Sequence, residues 1–144
     1  VLAQRIGLTD IVGEGFVRVG TLPAPMTAGA LAQTIGAALG DVVRVMGDPS
    51  AMVEKVGMCS GSGSDEWPAA ASMGAQAFLT GEAKHHIALE ASDAGVVILE
   101  AGHHATEEPG IFALADALQN SELVVQYKVR ISTSRAQRYE SSMR

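Results

Sequence analysis

Short runs of branched and aromatic residues alternate along the chain with stretches in which apolar residues recur every three or four positions. The first pattern is typical of buried β-strands and the second of amphipathic helices. Val96 to Leu99 are consecutive branched apolar residues, as expected of a strand covered on both faces. The alternation predicts an α/β domain with a mixed sheet flanked by helices, and it argues against a β-sandwich or a helix bundle.

The turn residues between these segments place the predicted elements. Thr27 is expected to cap a helix that ends at Gly40. Leu31, Ile35 and Leu39 form its apolar face. The other predicted elements are strands at 16–19, 42–46, 53–59, 77–79, 96–99 and 123–131, a loop at 23–25, and helices at 67–73, 82–91 and 105–118, the last with Pro109 in its first turn.

The composition limits the partners and the location of the protein. Apolar residues make up 47% of the 144 residues and charged residues 18%, so we expect apolar surface to remain for self-association. A net charge of -6 argues against binding to nucleic acid or to anionic lipid. One cysteine and the absence of an apolar run of about 18 residues point to a cytoplasmic protein without a membrane span.

The same patterns suggest the limits of the domain. Residues 1–131 are predicted to form one α/β domain, and the polar residues 132–144 are predicted to be a disordered tail. The opening residues Val1 to Ile6 resemble the end of a helix already under way, so we expect the chain to be a fragment.

All four histidines of the chain lie in two adjacent pairs, His85–His86 and His103–His104, each just after a predicted strand. Open α/β sheets bind their ligands at the carboxyl ends of such strands. If a helix begins at His103, Glu107 lies one turn further on the same face, and an imidazole nitrogen and a carboxylate oxygen can reach one metal ion. The alternative is a solvated helix start, where the glutamate favours the helix dipole.

The first histidine pair has a similar setting. A helix beginning at Glu82 would place His86 four residues later on the same face. Lys84 between them would be solvated or would face an anionic ligand. The alternative is a capped helix with an acidic first turn and no specific role for these side chains.

The glycine-rich loop at residues 60–65 offers a weaker signal. Gly61, Ser62 and Gly63 could present backbone N–H groups to an anion at a helix start. The loop has neither the lysine of a P-loop nor a full dinucleotide-binding fingerprint. A tight turn between strand and helix, capped by Asp65, is the simpler interpretation.

Three motifs in order resemble the C-terminal half of the Nif-three-like family of hexameric proteins with a dinuclear metal centre. They are residues 56–63 (VGMCSGSG), 78–86 (FLTGEAKHH) and 102–107 (GHHATE), and the likeness extends upstream to residues 17–27. The resemblance implies one half of a two-domain fold. It further implies a homo-hexamer whose other half, N-terminal in sequence, is missing from this chain.

The resemblance also assigns roles to the candidate residues. It implies that His103 and Glu107 are ligands of two divalent ions, which can be zinc, iron, manganese or magnesium. It places Glu82, Lys84 and His86 beside the same cleft, against the ligands or the substrate. The remaining ligands of the family, a His-His-Pro pair and an Asp, belong to the absent N-terminal half.

The activity that the resemblance implies stays open between two classes. One is a metal-dependent hydrolase, similar to a type-two GTP cyclohydrolase, in which an activated water attacks a nucleotide-like small molecule. The other is a non-enzymatic metal-binding or regulatory scaffold that acts through protein partners. The family often has an aromatic residue where this chain has His85 and His104, and the roles of both histidines remain open.

Overall fold

The strands of the protein form one mixed sheet. The computed structural model describes residues 1–134. The chain divides into two compact units, Val1–Pro109 and Gly110–Arg144. The strands, all in the first unit, are β1 (Thr9–Glu14), β2 (Val17–Thr27), β3 (Arg44–Met46), β4 (Met52–Cys59), β5 (Ala77–Thr80) and β6 (Val97–Glu100). Their order in the sheet is β1-β2-β4-β5-β6-β3.

Helices flank this sheet, so the predicted fold class is confirmed. They are α1 (Leu2–Arg5), α2 (Ala28–Leu39), α3 (Trp67–Ser72), α4 (His85–Asp93) and α5 (His103–Gln119), with a 3₁₀ turn at Ser64–Glu66 before α3. Helix α5 contributes residues to both units, and α6 (Glu122–Tyr127) belongs to the second. Within residues 1–134, none of the helices combines the length and the apolar character needed to cross a membrane.

The centre of the sheet is parallel and its margins are antiparallel. Strands β4, β5 and β6 pair in parallel, so their carboxyl ends lie at one edge. Strands β1 and β2, β2 and β4, and β3 and β6 pair antiparallel. The loops that follow the three parallel strands therefore meet, and these loops carry the candidate residues.

Alternate side chains of the central strands enter two separate cores. Leu79 and Leu99 pack in a cluster with the apolar face of α2. Phe78 and Ile98 pack in a second cluster with α3 and α4 residues. Because neighbouring residues of a strand point to opposite faces, the sheet is covered on both sides, as the continuous apolar runs predicted.

Helix α2 confirms its prediction in detail. The Thr27 hydroxyl accepts a hydrogen bond from the amide of Ala30 at 3.3 Å. The predicted apolar face is buried. Gly40 ends the helix with φ at 68°, a left-handed conformation that glycine adopts without a Cβ penalty. The local sequence is sufficient to predict this helix, because the residues that cap it directly precede and follow it.

The predicted loop at residues 23–25 is wrong, because strand β2 continues through it. The pairing with β4 is interrupted there: Thr21 lies opposite Lys55 and Met26 opposite Val53, with a register shift between them. Proline has no N–H for a sheet ladder, and such an irregularity is a position where the N–H is not required.

The margin of the sheet contains a strand that the sequence pattern did not predict. All residues of β1 are exposed. They therefore lack the alternation of buried and solvated positions from which a half-covered strand is recognised.

The strand predicted at residues 123–131 is also wrong. Residues Glu122–Tyr127 form helix α6, whose N-cap Ser121 accepts a hydrogen bond from the amide of Val124 at 3.4 Å. Lys128 ends the helix in a left-handed conformation with φ at 54°. The valines of this segment favour a strand only where a neighbouring strand can pair, and here a local cap determines the structure.

The end of the domain differs from prediction in a second respect. Helix α5 begins at His103, so Pro109 lies inside it rather than in its first turn. The proline ring supplies no N–H for the carbonyl group one turn earlier, at Ala105. Of the predicted disordered tail, residues 132–134 have no regular structure. Residues 135–144 lie outside the part of the chain that the structure describes.

Candidate functional site

Three loops at the carboxyl ends of the parallel strands form the candidate site. The amide of Gly81, after β5, donates to the carbonyl oxygen of Gly61, after β4, at 2.9 Å. The amide of Gly102, after β6, donates to the carbonyl oxygen of Gly81 at 3.0 Å. These bonds fix the loops to one another, and the helix that follows the third loop brings His103 over the first.

His103 and Glu107 converge as their spacing predicts. The His103 Nε2 atom lies 3.2 Å from Glu107 Oε1, and about half of each side chain is exposed. The two groups share one face of the first turns of α5 because they are four residues apart. An imidazole nitrogen and a carboxylate oxygen are thus presented together to solvent, as a metal ion would require.

Glu82 contacts the opposite side of the same imidazole ring. Its Oε1 atom lies 3.0 Å from His103 Nδ1, and its Oε2 atom accepts a hydrogen bond from the Ser62 hydroxyl at 2.8 Å. The hydroxyl of Ser62, followed by the His103 ring, lowers the pKa of the Glu82 carboxyl below its ordinary value. The Glu82 carboxylate faces Nδ1 of the ring, and Nε2 is the nitrogen that faces Glu107.

The predicted pairing of Glu82 with His86 on one helix face is wrong. Helix α4 begins at His85, and Lys84 before it has an extended backbone with ψ at 140°. The amide of Glu82 donates to the Gly61 carbonyl oxygen at 3.0 Å, and the amide of Ala83 donates to the Glu100 carboxylate at 3.1 Å. These distant contacts hold the segment outside the helix and direct Glu82 to His103 instead.

The other candidates around α4 have different neighbours. Lys84 Nζ lies 2.8 Å from Asp65 Oδ2, and both side chains are largely exposed. Lys84, and to a smaller extent the charge of His86, lowers the pKa of the Asp65 carboxyl. His85 lines a separate shallow cavity of about 280 Å³ with Met46.

His104 points to a different partner from its neighbour. Its Nε2 atom lies 3.5 Å from Glu108 Oε1. The two adjacent histidines thus each face a glutamate four residues later. Only His103 is also contacted by a carboxylate from another loop, Glu82.

The glycine-rich loop is tied into this site by its own polar groups. The Gly61 amide donates to the Thr106 hydroxyl at 3.1 Å, and the Ser62 hydroxyl donates to Glu82. The carbonyl oxygen of Gly63 accepts a hydrogen bond from the amide of Glu66 at 3.1 Å. Carboxylates beside this loop favour a cation over the anion considered from the sequence. Anion binding by Gly61, Ser62 and Gly63 stays a prediction.

Gly61 also leaves room above the loop. Its φ is 65°, and a Cβ atom at this position would lie 2.6 Å from Glu107 Oε1 and 3.1 Å from His103 Nε2. A side chain would therefore fill the space between the two polar groups. The absence of a side chain at Gly61 is what lets both groups face a common volume.

A cleft of about 400 Å³ opens beside His103. Its wall carries an ion pair that the sequence did not suggest, between Arg44 Nε and Glu100 Oε2 at 3.2 Å. The lining residues are Val42, Arg44, Gly81, Glu82, Glu100, Gly102 and His103. Arg44 and Glu100 lie opposite each other in the antiparallel pairing of β3 with β6, a register that spacing along the chain does not reveal.

The donor set of this site fits a divalent ion but is short. Within residues 1–134, no group of three or more His, Cys, Asp and Glu side chains is arranged to hold a metal ion. Protein-bound zinc has at least three protein ligands even where one position stays open. His103 and Glu107 alone are therefore fewer donors than such a site needs.

Comparisons with known proteins agree on one family. The sequence pattern of the Duf34/NIF3 (NGG1p interacting factor 3) family matches residues 1–138. Among solved structures, protein ybgI, described as of unknown function, has a TM-score of 0.74 at 35% identity over 84% of this chain and 50% of that chain. A Bacillus cereus protein related to NIF3 has a TM-score of 0.72 at 28% identity over 85% of this chain and 33% of that chain.

Curated relatives extend the comparison. A Halobacterium salinarum protein is 40% identical over 78% of this chain and 46% of its own length. An Escherichia coli K12 protein is 37% identical over 88% of this chain and 52% of its own length. Both are named GTP cyclohydrolase 1 type 2 homolog. The chain spans about half the length of these relatives, and it belongs to the Duf34/NIF3 family.

Proposed function

We propose that this chain supplies His103 and Glu107 as ligands to a divalent-metal site of a longer protein. The observation that supports the proposal most directly is the convergence of His103 Nε2 and Glu107 Oε1, 3.2 Å apart. With a divalent ion bound, His103 and Glu107 would hold it through these two atoms, in place of the contact that they make with each other. Imidazole and carboxylate together suit zinc, iron or manganese.

Glu82 acts in this proposal as the residue that orients His103. Histidine ligands usually donate the N–H that does not face the metal to a carboxylate, which fixes the tautomer and the ring orientation. The 3.0 Å separation of Glu82 Oε1 and His103 Nδ1 fits this arrangement. Ser62 in turn orients the Glu82 carboxylate through its 2.8 Å hydrogen bond.

Gly61 would leave the two donors accessible to an ion. A Cβ at this position would lie close to both His103 Nε2 and Glu107 Oε1 and would crowd them. The remaining ligands come from outside residues 1–134, from the further length that the relatives have or from another copy. The complete site would hold two ions, and this chain would contribute part of its ligands.

A divalent ion bound in such a site supplies a water activated near neutral pH. The chain's own groups then provide the surroundings of that water. The cleft beside His103 has room for a small molecule, and Arg44 is the cation on its wall. We propose hydrolysis of a nucleotide-like substrate, in keeping with the relatives named GTP cyclohydrolase 1 type 2 homolog.

The same proposal includes an assembly of several copies in the cytoplasm. Phe16 on the hairpin of β1 and β2 is 84% exposed, and Ile11 and Val12 on β1 are also exposed. Apolar groups at an open sheet edge favour contact with another chain or domain. Sedimentation of the full-length protein should show a hexamer, whereas a compact monomer at high concentration would contradict this part of the proposal.

The metal content of the full-length protein tests the proposal. Purified protein should contain zinc, iron or manganese by elemental analysis, and His103→Ala should remove it. His104→Ala is a matched control, because this neighbouring histidine also faces a glutamate in α5 but has no contact with Glu82. Equal metal loss in both variants would contradict the assignment of His103, and full metal content in His103→Ala would exclude it.

Turnover is measured separately from metal binding. Release of product from GTP and related nucleotides, dependent on added metal and lost in His103→Ala, would support the hydrolase. A metal-loaded protein that turns over none of these nucleotides would contradict the proposed activity and leave the metal site standing.

A further inference from the structure

Two buried threonine hydroxyls bind the peptide groups on either side of Gly61. Thr80 Oγ1 donates to the Gly61 carbonyl oxygen at 3.1 Å, and the Gly61 amide donates to Thr106 Oγ1 at 3.1 Å. Both side chains are almost completely buried, with 0% of Thr80 and 2% of Thr106 exposed. A buried N–H or carbonyl group needs a hydrogen-bond partner. Thr106 is the partner of the Gly61 N–H, whereas the Gly61 carbonyl oxygen also accepts the amides of Gly81 and Glu82.

The two threonines connect Gly61 to different elements. Thr80 is the last residue of strand β5, so its bond joins two neighbouring strand ends. Thr106 lies in the first turn of α5, where its hydroxyl oxygen is 3.1 Å from the Gly102 carbonyl oxygen and 3.0 Å from that of His103. Thr106 thus ties the start of the helix that carries His103 and Glu107 to the loop beneath them.

The surrounding packing leaves little freedom at this junction. A Cβ at Gly81 would lie 2.7 Å from the Gly61 carbonyl oxygen, 2.7 Å from His103 Cα and 2.8 Å from Thr106 Oγ1. The Gly61 loop and the helix start therefore meet around the bare Gly81 backbone. The position of the helix start is therefore coupled to that of Gly61 through direct contacts.

We propose that Thr106 is a positioning residue for the metal-binding pair. Its hydroxyl oxygen accepts the hydrogen bond from the Gly61 amide, and its O–H group donates to a carbonyl oxygen at the start of its own helix. Together these bonds fix the distance of His103 Nε2 and Glu107 Oε1 from Gly61. The inference rests on the proposed metal site, because it assigns a residue to that site. A purely structural role would lower the stability of the protein without changing its zinc affinity or the surroundings of the His103 ring.

Thr106→Val tests the proposal because valine keeps the shape and removes the hydroxyl. In the full-length protein we expect its zinc affinity, measured by competition with a chelator, to fall roughly 10- to 100-fold, as for lost outer-shell contacts. Thr106→Ser restores the hydroxyl and should return the affinity to within a few-fold of the original. Thr80→Val removes the matching buried hydroxyl on the strand side and should leave the zinc affinity nearly unchanged.

A second measurement does not depend on metal. In metal-free protein, Thr106→Val should speed hydrogen exchange of the Gly61 amide and alter the ¹⁵N shifts of the His103 ring. Thr80→Val should leave the His103 shifts in place, because its hydroxyl does not reach α5. These shifts report the ring surroundings, which a change in stability alone does not move.

The outcomes separate the two proposals. If the unaltered protein binds neither zinc, iron nor manganese, the proposed metal site fails. If it binds zinc and Thr106→Val binds equally well, or if Thr80→Val weakens binding as strongly, the metal site stands and the role of Thr106 is overturned. If Thr106→Val does not fold, Thr106→Ala and Thr106→Ser are compared, and equal affinity in both would overturn it.

Discussion

The carboxylate of Glu82 lies 3.0 Å from Nδ1 of His103, although the two residues are 21 positions apart in sequence. The contact exists because the loops after β5 and β6 meet at one edge of the sheet. It leaves the Nε2 atom of the same ring facing Glu107. Glu82 is therefore the candidate residue with the most direct influence on which nitrogen of His103 would bind a metal ion in the proposed site.

Glu82→Gln should weaken metal binding without abolishing it. The amide keeps the shape but loses the charge that favours a proton on Nδ1, so we expect the metal affinity to fall roughly 10- to 100-fold. Isothermal titration with zinc measures the change. His86→Ala should have no such effect, because the charge of His86 acts on Asp65, whereas the contacts of the His103 ring are with Ser62, Glu82 and Glu107. The reverse order of severity would show that His86, and not Glu82, supports the ligand.

Gly61→Ala should lower metal binding by steric filling of the site. The methyl group would lie 2.6 Å from Glu107 Oε1 and 3.1 Å from His103 Nε2. The positive φ alone costs about 1–2 kcal/mol of stability for a residue with a Cβ. We expect a metal affinity at least about tenfold lower, comparable with other disturbed ligand shells.

Gly15→Ala is the matched control for this substitution. Gly15 has φ at 54°, and a Cβ there meets no atom within 4 Å. It should lose a similar amount of stability by urea denaturation and keep its metal affinity. If both variants lose metal equally, backbone strain and not the filled space is responsible.

The sequence predicts the helices and strands that are determined by residues within or next to them, and the strands that are completely buried. Helix α2 has its caps and apolar face within one segment, and β6 begins with three consecutive buried apolar residues. Strand β1 was missed because every residue in it is exposed. The segment after Ser121 is a helix and not the predicted strand. Its valines favour a strand in the sequence pattern, and the opposing signal is a single capping residue.

The candidate site divides in the same way. The pairing of His103 with Glu107 follows from helical spacing, so it was visible in the sequence. The contact of Glu82 with His103 and the bond from Gly61 to Thr106 join separate loops. They depend on strand register and loop packing, and no spacing along the chain encodes them. The predicted link between Glu82 and His86 failed because long-range bonds to Gly61 and Glu100 keep Glu82 out of the helix.

Thr27→Ala should destabilise the first unit by removing the cap of α2. The lost hydrogen bond to the Ala30 amide is worth about 1 kcal/mol, with a usual range of roughly 0.5–2 kcal/mol.

Thr34→Ala, in the same helix, should change the free energy of unfolding in the opposite direction. Thr34 is exposed and only bonds back to the Ala30 carbonyl, so alanine should raise stability by up to about 0.7 kcal/mol. Urea denaturation measures both, and two losses of equal size would refute the capping role.

Lys84→Met should raise the pKa of Asp65. The bond from Lys84 Nζ, 2.8 Å from Asp65 Oδ2, is the largest cause that keeps the pKa of this carboxyl below its ordinary value. A carboxyl whose pKa is lower in the folded state stabilises the fold above its unfolded pKa, and this contribution is lost as the pH falls through the folded value. The variant should therefore lose less stability than the original protein between about pH 7 and about pH 2. Titration of the Asp65 carboxyl by NMR measures the shift directly. Lys55→Met serves as the control, because it removes the same charge from an exposed position on β4. An equal rise of the Asp65 pKa in both variants would show that the net charge, and not the Lys84 contact, is the cause.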